Sequence, residues 1–143
     1  MTIDLDAALA FAWSRQRGVL VTVKRDGRPQ LSNILYVPRA DGRSCAISVT
    51  DTRAKTANLR RDPRASLHVT RDDFFAYVVL EGEAVLSPVS ADPDDPVVDE
   101  LVTMYRTARG EHPDWPGFRR AMVDERRLVV TVSVTGAYGM LGG

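Results

Sequence analysis

A chain of 143 residues fits one folding unit around one core, residues 1–143, with little length for a second. Its 44% hydrophobic and 27% charged residues exclude a disordered or fibrous protein. Its 19 Lys and Arg against 19 Asp and Glu exclude the cationic surplus of a broad nucleic-acid-binding face, leaving only a local basic patch open.

From the N-terminus, Leu5, Ala8, Leu9, Ala12 and Trp13 recur at helical spacing, with Asp4 as cap and Gly18 as stop. Asp4 and Asp6 stand where a signal peptide would carry basic residues, and no stretch has membrane-spanning length, so a cytoplasmic protein without a membrane anchor is expected. The period then changes to two. Val19 to Val23 alternates, Asp26-Gly27 marks a tight hairpin, and Pro29 to Val37 forms a second strand. Asp41-Gly42 leads into a third, Cys45 to Val49, and the three read as an antiparallel meander. Thr52 or Asp51 caps a helix from near Arg53 that Asp62-Pro63 ends. Strands follow at Ala65–Thr70 and Ala76–Leu86, the latter with Gly82 where a bend or bulge fits. After the loop Ser87–Pro96, Val98, Leu101, Val102 and Tyr105 mark a helix over Val97–Ala108, Pro116–Asp124 forms another, and Arg127–Thr135 is the last strand. The fold class is therefore mostly β with peripheral helices, six antiparallel strands closing as a small barrel that removes exposed edges.

Several chemistries lack their residues. His68 and His112 are the only histidines, without HExxH or a CxxC beside them, so no metal site is expected. The lone Cys45 allows no intramolecular disulfide and sits in an apolar strand as a core residue. There is no GxSxG elbow, and Gly136, Gly139 and Gly142 read as tail glycines. Asp92, Asp94, Asp95, Asp99 and Glu100 belong to a solvated loop and helix start.

One segment stands out in the neutral chain. TRAKTANLRRDPRA, residues 52–65, carries Arg53, Lys55, Arg60, Arg61 and Arg64 against only Asp62. Arg53, Lys55 and the Thr56 hydroxyl at a helix start offer what a phosphate needs, and the preceding Ser48, Val49 and Thr50 place them at a barrel rim; a solvated helix face is the alternative. Arg60, Arg61 and Arg64 read as that solvated face. In the second strand Gln30, Ser32 and Asn33 bring polar groups to both faces. Asn33 shares its face with Leu31 and Leu35, and buried there it would need a backbone partner or the edge of a heterocycle.

Together, GVLVTVKRDGRPQLSN, RAKTANLRRDPRA and the later Glu81-Gly82 strand resemble the pyridoxamine 5'-phosphate oxidase-like, FMN-binding split-barrel family, and within it the actinobacterial F420-dependent oxidoreductase branch. The resemblance implies a split β-barrel homodimer with cofactor sites at the subunit interface. It also implies a cofactor phosphate on Arg53 and Lys55 assisted by Thr56, and a ring lined by Gln30, Ser32 and Asn33 with Ser48, Val49 and Thr50 beside it. Phe75 and Tyr77 would complete the pocket from the partner subunit, or pack in the core or interface. The implied activity is hydride transfer between F420 and an unsaturated small molecule. An FMN oxidoreductase or a non-catalytic F420 carrier are the alternatives. The C-terminal TGAYGMLGG lacks the arginine and histidine motif of the true vitamin B6 oxidases, so that substrate is not expected.

Overall fold

The computed structural model describes residues 3–142. These form α1 (Leu5–Trp13), β1 (Arg17–Val23), β2 (Pro29–Leu35), β3 (Val37–Pro38), β4 (Ser44–Thr50), α2 (Ala54–Arg61), β5 (Arg64–Thr70), β6 (Tyr77–Leu86), α3 (Pro96–Arg109), α4 (Trp115–Asp124) and β7 (Arg127–Met140). Every ladder is antiparallel, in the order β2-β1-β5-β6-β7-β4-β3.

The sheet therefore has seven strands where six were expected, and the three-stranded meander does not form. The cause is Tyr36. Its amide leaves the ladder to bond the Gln16 carbonyl at 3.0 Å, and its hydroxyl donates to the Ala12 carbonyl at 2.6 Å. The side chain is buried against Trp13 of α1, with ring centroids 5.9 Å apart. Turning inward here breaks the expected Pro29–Val37 strand in two. β2 pairs with β1, while Val37 and Pro38 pair with Ala46 and Cys45 of β4. The two edge strands of the sheet are thus consecutive in the chain, joined at one buried tyrosine, and the sheet curls to bring its edges together.

The last strand also runs further than Thr135, to Met140, and takes in Gly136 and Gly139. It pairs with β4 on one side and β6 on the other, and the register against β6 shifts between Glu81 and Gly82, the bulge foreshadowed by that glycine. A Cβ on Gly82 would lie 1.9 Å from the Ser133 carbonyl oxygen. Gly82→Ala is expected to lower stability by about 1–3 kcal/mol in urea unfolding; an unchanged midpoint would show that this close approach is easily relieved.

Leu20, Ile47, Leu67, Leu80, Leu128 and Val130 fill the barrel, and Ala8 and Ala12 of α1 pack on them. A second cluster lies apart, where Val98 and Leu101 of α3 and Met122 of α4 cover Ala46 of β4 and Val129 of β7. This double covering explains why β4 is buried along most of its length while other strands alternate. Arg39, just after β3, fixes α3 by pairing with Glu100 and donating to Thr131 Oγ1 at 2.7 Å. Elsewhere apolar side chains stay open, among them Leu31 (60% exposed) and Phe75 (74%).

Candidate ligand-binding site

The site begins where β4 gives way to α2. Arg53 N–H bonds the Thr50 carbonyl at 3.2 Å, and the buried Thr56 donates its hydroxyl to the same carbonyl at 2.7 Å, so the helix is stapled to the strand end. Neither Thr52 nor Asp51 caps α2 as expected. Arg53 holds the N-cap position with no side-chain bond to the helix, because Asp51 is taken by Arg60 at 2.7 Å and Arg126 at 2.8 Å. Helical geometry leaves the first-turn amides without intrahelical acceptors, at the positive end of the helix dipole.

The five cations of this segment then part company. Arg60 is paired with Asp51, Arg64 with Asp62 at 2.7 Å, and Arg61 donates to the Val23 carbonyl at 2.7 Å and to Asn58 Oδ1 at 3.1 Å. Arg53 and Lys55 have no ion pair among the described residues, and both line a groove of 770 Å³. The Lys55 ammonium is held below the usual lysine pKa, first by partial burial and then by the charges of Arg53 and Arg127. A group strained in this way gains when an anion arrives.

Ser48, Val49, Thr50 and Asn33 line the same groove as Arg53 and Lys55, so six of the sequence-predicted residues converge there. The others lie elsewhere. Thr56 is interior to α2, its proton already given to Thr50. Gln30 and Ser32 belong to a polar chain that ties α2 to the sheet: Asn58 Nδ2 donates to Thr22 Oγ1 at 3.1 Å, Thr22 to Gln30 Oε1 at 3.2 Å, and Gln30 Nε2 to Ser32 Oγ at 3.1 Å. Asn33, which would need a hydrogen-bond partner if buried, is exposed along with Leu31 and Leu35, because β2 is an edge strand whose outer face no described residue covers. Phe75 projects from the turn before β6. Tyr77 lies against His68 with centroids 5.6 Å apart, and His68 lines an adjoining groove of 810 Å³ that shares Arg17 and Asn33 with the first.

Sequence reasoning missed Arg127, Arg109 and the wall made by α3 and α4. Arg127 reaches the site because it pairs in register with Thr50, and its Nη1 donates to Ser48 Oγ at 3.2 Å while Nε pairs with Glu125 at 2.9 Å. No local signal could announce a partner so distant in the chain. Of the α3 residues that line it, Leu101 and Tyr105 were legible as helical spacing but not as a groove wall, and Met104 and Ala108 were not singled out.

The lining carries Arg17, Arg53, Lys55, Arg109 and Arg127 against the single carboxylate of Glu125. An unpaired guanidinium, a partly desolvated ammonium and free helix amides fit a phosphate-bearing ligand. Among the described residues no cluster of His, Cys, Asp and Glu could hold a metal ion, and no helix is long and apolar enough to cross a membrane.

A family model described as pyridoxamine 5'-phosphate oxidase matches residues 5–140. Among solved structures, the conserved hypothetical protein Rv2991 from Mycobacterium tuberculosis superposes with a TM-score of 0.74 at 23% identity, over 98% of this chain and 86% of that one. An F420 reductase superposes with a TM-score of 0.63 at 19% identity, over 86% and 89%. A heme binding protein from Mycobacterium smegmatis gives 0.62 at 19%, over 99% of this chain but 56% of its own. At these identities the structural likeness is one of fold.

Proposed function

The chain belongs to the pyridoxamine 5'-phosphate oxidase family, and we propose that it is an oxidoreductase working with the deazaflavin F420 bound in the groove between β4, α2 and α3. The observation that carries this reading is the pair Arg53 and Lys55, the two cations of their segment that have no carboxylate partner and line a groove at an uncapped helix start, whereas Arg61 is committed to the Val23 carbonyl and Asn58. They would hold the phosphate, with Asn33, Ser48, Val49 and Thr50 alongside the ring and Arg127 adding charge. When bound, such a cofactor supplies hydride-transfer chemistry. The chain's part is to hold both reactants in register and keep water out; the groove contains no histidine, and hydride transfer requires no protein base.

The open apolar face of β2, with Leu31 60% and Leu35 49% exposed, supports a homodimer in which a second copy covers that edge beside the groove. Light scattering on the eluting protein is expected to give twice the chain mass, and a monomer at micromolar concentration would refute the dimer.

Cofactor choice is tested by titrating the protein with F420, FMN and haemin, the last because a structural neighbour is named as heme-binding. Saturable F420 binding tighter than FMN supports the proposal. Tighter FMN binding favours a flavin oxidoreductase on the same fold, and preferential haemin binding or no binding of either phosphorylated cofactor overturns the reading. Mixing the protein and reduced F420 with a panel of enones and quinones separates an enzyme, which oxidises the cofactor, from a carrier, which does not.

A further inference from the structure

The groove has two unlike walls. On the sheet side stand Ser48, Thr50 and the cations around Lys55; on the helix side Leu101, Met104 and Tyr105 of α3 face in with Phe118 and Met122 of α4. Tyr105 is held edge-on from three directions, its centroid 5.1 Å from His112, 5.8 Å from Trp115 and 5.2 Å from Phe118. Trp115 and Phe118 close the cluster at 5.6 Å, and the Arg106 guanidinium lies 4.8 Å from the Trp115 ring centre. His112 is committed to the local turn, its Nδ1 accepting from the Asp114 amide at 2.9 Å. The cluster thus braces Tyr105 and Phe118, the two rings that line the groove, leaving them little freedom to lose on binding.

A charge accompanies this wall. Arg109 lies four residues beyond Tyr105 on α3, hence on the same face, and also lines the groove. Its neighbour Arg106 is paired with Glu111 at 2.6 Å, whereas Arg109 is exposed and has no ion pair among the described residues.

We propose that the α3–α4 wall seats the second reactant, and that this reactant is a planar conjugated carboxylate, its flat body on Tyr105 and Phe118 and its carboxylate on Arg109. This rests on the groove being the cofactor site argued above. Flat rings and the adaptable Met104 and Met122 favour a planar apolar body, and the guanidinium fork matches a carboxylate. A small polar substrate would desolvate against this wall without gaining a partner there, and a neutral hydrocarbon would leave Arg109 unused.

Equilibrium dialysis of the full chain with 2-naphthoate, 2-naphthamide and cyclohexanecarboxylate tests the seat. Saturable 2-naphthoate binding is expected, about 10-fold tighter than either comparator. Arg109→Gln should erase the preference for naphthoate over naphthamide without weakening the amide, and Tyr105→Leu should weaken both naphthalene ligands. Arg109 is exposed, so Arg109→Gln carries the test should Tyr105→Leu fold poorly. Equal binding of all three probes, or unaltered naphthoate affinity in Arg109→Gln, overturns the proposal. Cofactor affinity measured on the same samples keeps the two readings apart. Naphthoate binding without F420 or FMN binding would overturn the cofactor reading and leave the seat standing, and the reverse pattern would overturn the seat alone.

Discussion

Replacing both Arg53 and Lys55 by alanine is expected to weaken binding of F420 or FMN by about 100-fold or more while leaving riboflavin, which lacks the phosphate, nearly unchanged. Hydrogen bonds to a charged group contribute roughly 1.5–3 kcal/mol each, and two partly exposed donors at the lower end together correspond to about 100-fold. Isothermal titration with FMN and riboflavin reads the difference directly. Equal losses for both ligands would mean that the substitutions damaged the groove rather than a phosphate contact. The pH profile adds a second signature. Lys55 releases its proton below the ordinary lysine range because it is partly buried beside Arg53 and Arg127. Phosphate affinity should therefore begin to fall at a lower alkaline pH than an exposed lysine would give, and Lys55→Met should remove that limb of the profile. The same substitution should leave the ligand-free fold no less stable, since it removes a cation that the folded state holds at a disadvantage.

Tyr36→Ala should be the most damaging single change to the fold, with a loss of about 3–5 kcal/mol, the range for truncating a buried aromatic side chain. Tyr36→Phe isolates the hydroxyl: it removes the 2.6 Å donor to the Ala12 carbonyl, which keeps the Arg15 amide at 3.1 Å, and should cost about 0.5–1.5 kcal/mol. Urea unfolding of both variants measures these values. If Tyr36→Ala retained wild-type stability, the junction between β2 and β3 would have to be held by something other than this side chain. A looser junction should also reach the site, because Asn33 and Tyr36 both line the groove.

Much of this architecture was legible where a local rule governs. Asp4 caps α1 as read, its carboxylate accepting from Ala7 N at 3.0 Å. Asp26-Gly27 makes the hairpin between β1 and β2, with Gly27 at φ 89°. Tyr36 was not legible because it sits inside the continuous apolar run Ile34 to Val37, which reads as one strand; only the carbonyls of Ala12 and Gln16, brought close by folding, draw it out of the ladder. The basic segment announced itself by charge, but its division depended on where Asp51, Asp62 and the Val23 carbonyl lie in space. Asn33 shares its face with Leu31 and Leu35, but whether that face is covered is not written in the pattern, which an uncovered edge strand shares with a core strand. The helix stripe that makes the apolar wall is ambiguous for a similar reason: periodicity shows that a face is apolar, not what meets it.

The strand order also has a consequence for how the molecule assembles. The β1–β2 and β5–β6 hairpins can close between near neighbours, but β4 finds only the two residues of β3 nearby, and its full ladder must wait for β7, where Ser44 meets Ser133 and Thr50 meets Arg127. During synthesis β4 therefore stays without its main partner until β7 has emerged, and long-range pairings of this kind form late. The rim that presents Arg53 and Lys55 is attached to that strand, so the ligand site takes shape last, and an anion bound there would act as a clasp on the final closure of the barrel.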